Sequence, residues 1–159
     1  MANVPVRQFL GTTTTTCINT TTDIASGNFS GAPAATYDNT TDATLPYAPF
    51  AKCMLEMPDW GAAPVAGTVV GLWGVLKDTD GTDDDTDAPS GSASNGARWF
   101  GNFLVSGVDA LQRRTIVINM VGVEKVNFYV YNGTAQNMNN DGGTSCVLKV
   151  TPLAVGVVA

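Results

Sequence analysis

The sequence predicts an all-β protein, an antiparallel sandwich or barrel, preceded by an extended N-terminal arm. Three observations carry this. From Pro49 onward, short runs of Val, Ile, Leu and aromatic residues recur between clusters of Gly, Pro, Asn, Asp and Thr. Nowhere do apolar residues repeat at i, i+3, i+4, i+7 over a useful length, as an amphipathic helix requires. One segment, VEKVNFYVYNG, alternates with period two: Val126, Phe128 and Val130 fall on one face, and Asn127, Tyr129 and Tyr131 on the other. The 159 residues make one domain's worth of chain with no internal repeat, which argues against a solenoid or propeller.

Residues 1–45 differ from the rest. They hold the run Thr12 to Thr16, then INTTTD and SGNFSGAPAATYDNTTDATLP, with few large apolar groups. β-Branched Thr favours extended backbone, and the spaced Gly and Pro break any long regular element. This stretch reads as an arm that becomes ordered against a neighbouring subunit, anchored by Val4, Val6, Phe9, Leu10, Ile18, Ile24 and Phe29. The plainer alternative is a low-complexity terminus without fixed structure.

Residues 46–159 read as the sandwich. FAKCMLEM (Phe50 to Met57) alternates weakly and ends at Pro58. VAGTVVGLWGVLK (Val65 to Lys77) is a long β-type run whose Gly67, Gly71 and Gly74 indicate bulges or close backbone approach. An acidic loop and a Ser/Gly/Asn stretch follow, from Asp78 to Gly96. Extended structure resumes in ARWFGNFLVS (Ala97 to Ser106) and RRTIVINMV (Arg113 to Val121), with a short helical turn near Val108 to Gln112 as the one helical candidate. After the alternating strand, Asn132-Gly133 and Asn139 to Gly143 signal turns. The last run, Cys146 to Val158, is a strand that changes course at Pro152.

Composition narrows the function. Charged residues make up 14% of the chain, against about 25% in ordinary proteins. Thr, Asn, Gly and Ser replace them, giving a neutral polar surface that needs little desolvation when a partner docks. The net charge is −6 and the eight Lys and Arg are scattered, which argues against nucleic-acid binding. There is no histidine, so Ser- or Cys-based nucleophilic catalysis lacks its usual base. The two glutamates, Glu56 and Glu124, have no second acid well placed beside them in sequence for hydrolysis. An enzyme is therefore not expected. MANVPVRQFLG has no long apolar core, so no signal peptide is expected, and no run reaches the roughly 20 apolar residues of a membrane span. Cys17, Cys53 and Cys146 read as buried free thiols, with a Cys53–Cys146 bridge as the alternative.

Two candidate sites stand out. DTDGTDDDTD places Asp78, Asp80, Asp83, Asp84, Asp85 and Asp87 within ten positions. Calcium takes six to eight oxygens, and Asp78, Asp80, Asp83 and Asp85 are its candidate ligands. The terminal Glu of an EF-hand is absent, and a hydrated acidic loop fits the same residues. The second candidate is aromatic. Trp60, Trp73 and Trp99 with Tyr37, Tyr47, Tyr129 and Tyr131 can either line a sugar-binding face or pack in core and interface; Trp73 and Trp99 sit inside apolar strand runs and are expected to be buried. Tyr129 and Tyr131, on the polar face of their strand, are expected at a subunit contact.

The order of segments from Leu72 to Thr151 resembles small virion proteins of tailed bacteriophages with sandwich folds. The likeness rests on GLWGVLKDTDGTDDD, RWFGNFLV, RRTIVINMVGVEKVNFYVYNGTAQNM and TSCVLKVTP, and covers about half the chain. It implies a jelly-roll-like antiparallel β-sandwich over residues 46–159, and a head decoration, or cement, protein on the outer surface of the virion. It further implies assembly in the host cytoplasm, a homo-oligomer, typically a trimer, and the major capsid protein as partner. Tail, collar or fibre proteins, and a sugar-binding module for a host surface, are the rival readings.

Overall fold

The computed structural model describes residues 6–77, 87–138 and 144–157. It holds nine strands and no helix among these residues: β1 (Val6–Leu10), β2 (Thr15–Thr20), β3 (Tyr37–Asp38), β4 (Phe50–Met57), β5 (Val69–Lys77), β6 (Arg98–Leu104), β7 (Gln112–Asn119), β8 (Lys125–Asn132) and β9 (Cys146–Val157). One sheet runs β1-β9-β4-β7 with β2 also on β9, and the other runs β3-β8-β5-β6. The protein is an all-β sandwich.

The strand order gives the fold more closely. β1 pairs with Leu153 to Val157 of β9, and β2 pairs with Cys146 to Val150 on the same side of that strand. The two therefore behave as one strand interrupted at Gly11 to Thr14. Counted this way, the eight strands lie in the orders 1-8-3-6 and 2-7-4-5, with every ladder antiparallel. This is the jelly-roll arrangement, two Greek keys folded across two sheets.

Alternation builds the core. Ala51, Cys53, Leu55 and Met57 of β4 face inward, beside Leu148 and Val150 of β9. Val70 and Leu72 of β5 and Val126, Phe128 and Val130 of β8 close over them from the second sheet. Each Leu, Val, Met or Phe among them contributes about 1.5–3 kcal/mol by leaving water. Gly74 makes room for the aromatics: a Cβ there would meet Val126 at 2.5 Å and Phe100 at 2.7 Å. Phe100 stands edge-on to Phe128 with centroids 5.3 Å apart. Phe100 is also the extra residue of a bulge, since Leu72 faces Gly101 while Trp73 faces Trp99.

Two expectations are corrected here. Residues 6–45 are no separable arm. β2 is laddered to β9, and Cys17, Ile18, Ile24 and Tyr37 belong to the main core. Ile24 and Phe29 are further fixed by bridges to Met138 and Tyr131. The domain boundary near residue 46 therefore falls inside the fold. The helical turn near Val108 to Gln112 is absent. The Gln112 side chain instead donates to the carbonyls of Ser106 and Val108 at 3.0 Å each, and accepts from the Ser106 N–H at 2.9 Å, satisfying groups a helical turn would pair. The cysteines are as expected, all three thiols free and buried, and the alternative Cys53–Cys146 bridge does not form. Cys53 faces Val150, four positions from Cys146 along β9 or roughly 13 Å, well beyond disulfide reach.

Candidate interaction surfaces

Alternation also decides what each sheet shows to solvent. On the first sheet, β4 turns Lys52, Met54 and Glu56 outward, opposite Val117, Thr115 and Arg113 of β7 and Thr151, Lys149 and Val147 of β9. Glu56 is the shared partner of two cations: Arg113 Nε lies 3.5 Å and Lys149 Nζ 3.6 Å from its Oε1. Lys52 is exposed and has no carboxylate partner among the described residues. Beside it, Leu10, Gly11, Thr14, Lys52, Met54, Lys149 and Thr151 line a hollow of about 380 Å³. The hydroxyls of Thr14 and Thr151 are hydrogen-bonded at 2.8 Å.

The outward face of the second sheet is aromatic. Trp73 and Trp99 are register partners on β5 and β6. Gly71, one pair further along the same face, is the floor beneath an indole. A Cβ at Gly71 would lie 2.8 Å from Trp73 Nε1. Trp99 Nε1 donates to Asn102 Oδ1 at 3.2 Å, which holds the second indole beside the first. Phe29 stands edge-on to Trp73 at 5.8 Å and tilted against Tyr131 at 4.9 Å. Phe29, Trp73, Ser92, Ser94 and Tyr131 line a shallow hollow of about 270 Å³. The burial expected of both tryptophans is corrected here: Trp73 is half-buried and Trp99 is 54% exposed, because both stand on the outward face, so this shelf presents a bare indole to solvent.

The residues singled out from sequence scatter over the molecule. Asp78, Asp80, Asp83 and Asp85 lie outside the described residues, as does Val4. Val6 pairs with Val157 at the end of the first sheet. Phe9 and Leu10 are exposed, at 43% and 53%, on the same edge strand. Ile18 is 1% exposed, buried in the protein's own core rather than held for a neighbour. Tyr129 is 5% exposed and packs with Phe29, Val75 and Ala97 in a second apolar cluster that covers the outer face of β8, so it is no bare contact residue. Tyr131 packs against that cluster half-buried and reaches the edge of the aromatic hollow. Trp60 and Tyr37 are core residues. Lys52, Lys149 and Asn102 were not singled out from sequence; Gly71 was, as a place of close approach, and the Trp73 indole takes that space. The outward lysines of β4 and β9 were visible only as polar beats in two alternating strands.

Burial pushes the Cys17 and Cys146 thiols up to about 12, and burial followed by the nearby Cys17 raises Cys53 further, so none is a ready nucleophile. Among the described residues, no three Cys, Asp or Glu side chains come together as a metal would need. No protein-family model matches the chain, and no curated protein matches it in sequence.

Proposed function

We propose that this chain is a structural component of a tailed-bacteriophage virion, a decoration protein that binds the outside of the head lattice and stabilises it without catalysis. The observation that carries the reading is the jelly-roll strand order, an architecture used by viral coat proteins and by lectin domains. Three features support it. Surface charge is sparse, so lateral contacts cost little desolvation. Apolar side chains such as Leu10, Val117 and Val155 stand exposed on the outer face of one sheet. The net charge of −6 suits a position outside a shell that encloses nucleic acid. The major capsid protein is then the partner, and a trimer of this chain the unit that docks. Co-sedimentation of the purified protein with empty, expanded heads tests this: saturable binding and a raised head-disruption temperature are expected, and a protein left wholly in the supernatant overturns it.

A second reading has its own observation. The Trp73–Trp99 shelf, floored by Gly71 and flanked by Asn102, Ser92 and Ser94, matches the apolar face and hydroxyl rim of a sugar ring. In that reading the protein recognises a host-surface glycan. A glycan array probed with the parent and with Trp99→Ala separates the two: binding lost in the variant favours the lectin reading, and no binding by either leaves the decoration reading.

A further inference from the structure

Three of the chain's eight cationic side chains, Lys52, Lys149 and Arg113, share the outer face of the first sheet with one of its fourteen carboxylates, Glu56. On an acidic protein this face is a local excess of positive charge. Its centre is the hollow bounded by Lys52 and Lys149, with Leu10 and Met54 as apolar wall and the Thr14–Thr151 hydroxyl pair at its side. Glu56 already serves both Arg113 and Lys149, and Lys52 has no carboxylate of its own among the described residues. An ammonium on a flexible stem, beside apolar surface, is suited to a carboxylate carried on a short side chain.

The same chain carries the complementary charge. Six aspartates crowd positions 78–87, directly after β5. β5 belongs to the second sheet, whereas the hollow lies on the far surface of the first. We propose that the acidic segment 78–87 of one copy docks in the Lys52–Lys149 hollow of another. Two different patches then meet. The contact is heterologous and propagates into a ring or an open array, unlike a two-fold contact, which closes after two copies. Each contact is weak and salt-sensitive, and repetition over many copies supplies the strength. The inference concerns copies of this chain with one another and stands whether or not the protein binds a phage head.

Sedimentation velocity of the full chain tests it. At about 30 mM salt the protein associates with rising concentration, and at about 500 mM the association weakens at least about tenfold. The double variant Lys52→Glu with Lys149→Glu and the triple variant Asp83→Asn, Asp84→Asn, Asp85→Asn are each expected to be monomeric with unchanged circular dichroism, the double variant melting slightly lower because Lys149→Glu sets a like charge beside Glu56. Mixed, they form one-to-one dimers and nothing longer, because each supplies the half the other lacks. Should the lysine-to-glutamate pair disturb folding, Lys52→Gln with Lys149→Gln replaces it. A parent that stays monomeric at low salt, variants that associate like the parent, or a mixture that remains monomeric would each overturn the proposal.

Discussion

Asn132 and Ile24 lie 108 positions apart and are joined by a buried hydrogen bond, Asn132 Nδ2 donating to the Ile24 carbonyl oxygen at 2.9 Å. The same amide nitrogen donates to the Gln136 carbonyl at 2.8 Å, and Asn132 Oδ1 accepts from the Thr134 N–H and hydroxyl. Every polar atom of this fully buried side chain is engaged, so Asn132 ties the segment after β2 to the end of β8. Asn132→Ala leaves the buried Thr134 N–H without a bond and takes one of two donors from the Ile24 and Gln136 carbonyls, which keep the Met138 N–H and the Thr134 hydroxyl. A loss of about 2–4 kcal/mol is expected, read as a lower urea midpoint. A change below about 1 kcal/mol would show the network to be dispensable.

The N-terminal strands are part of the core, and that too has a measurable consequence. Ile18→Ala removes a side chain buried against the main cluster and should cost about 2–5 kcal/mol. Deleting residues 1–20 strips both partners from one side of β9 and should abolish cooperative unfolding. A truncated protein that melts like the parent would restore the arm as a separate piece.

Asp42 sets an acid-sensitive joint. Burial by itself raises its pKa, but hydrogen bonds outweigh that and hold the carboxyl well below the usual carboxylate range. Its oxygens accept from the Thr13 N–H at 2.7 Å, the Thr44 N–H and hydroxyl at 2.9 and 2.8 Å, and the Leu45 N–H at 2.8 Å. A carboxyl whose folded pKa is depressed stabilises the protein above its unfolded value, near 4, and that contribution fades as pH falls toward the folded value. Urea midpoints should therefore hold down to about pH 4 and then decline. Asp42→Asn should be less stable at neutral pH and flatter below about pH 4. Identical pH profiles for parent and variant would refute the assignment.

The thiols supply a simple probe of the sandwich. Cys17, Cys53 and Cys146 lie under both sheets with their pKa values raised. In the native protein an aromatic disulfide reagent should find no reactive thiol over minutes at pH 8, and all three in guanidinium. Rapid native labelling would mean that the β4–β9 interior opens readily.

Much of this fold was legible because period-two alternation survives wherever one face meets the core. Phe50 to Met57 and Val126 to Val130 declare themselves in this way. β2 hid for a physical reason. A register shift between Thr16 and Ile18 puts Cys17 and Ile18 inward side by side, which breaks the period in a strand already short of apolar residues. Tyr129 misled because the outer face of β8 is covered by Phe29 and Ala97, neighbours that alternation along one strand does not reveal. Of the surfaces, the tryptophans were visible as residues. Their shared shelf was not, since it needs the Trp73–Trp99 register and the Trp73 indole lying over Gly71 of β5.

The central claim is that this jelly roll works by adhesion to a repeating shell. Cryo-electron microscopy of purified phage particles that encode it tests this most directly. The account expects the sandwich as density in lattice-ordered copies on the outer head surface, contacting the major capsid protein. Heads bare of it, in particles that carry no copies of the chain, would contradict the account.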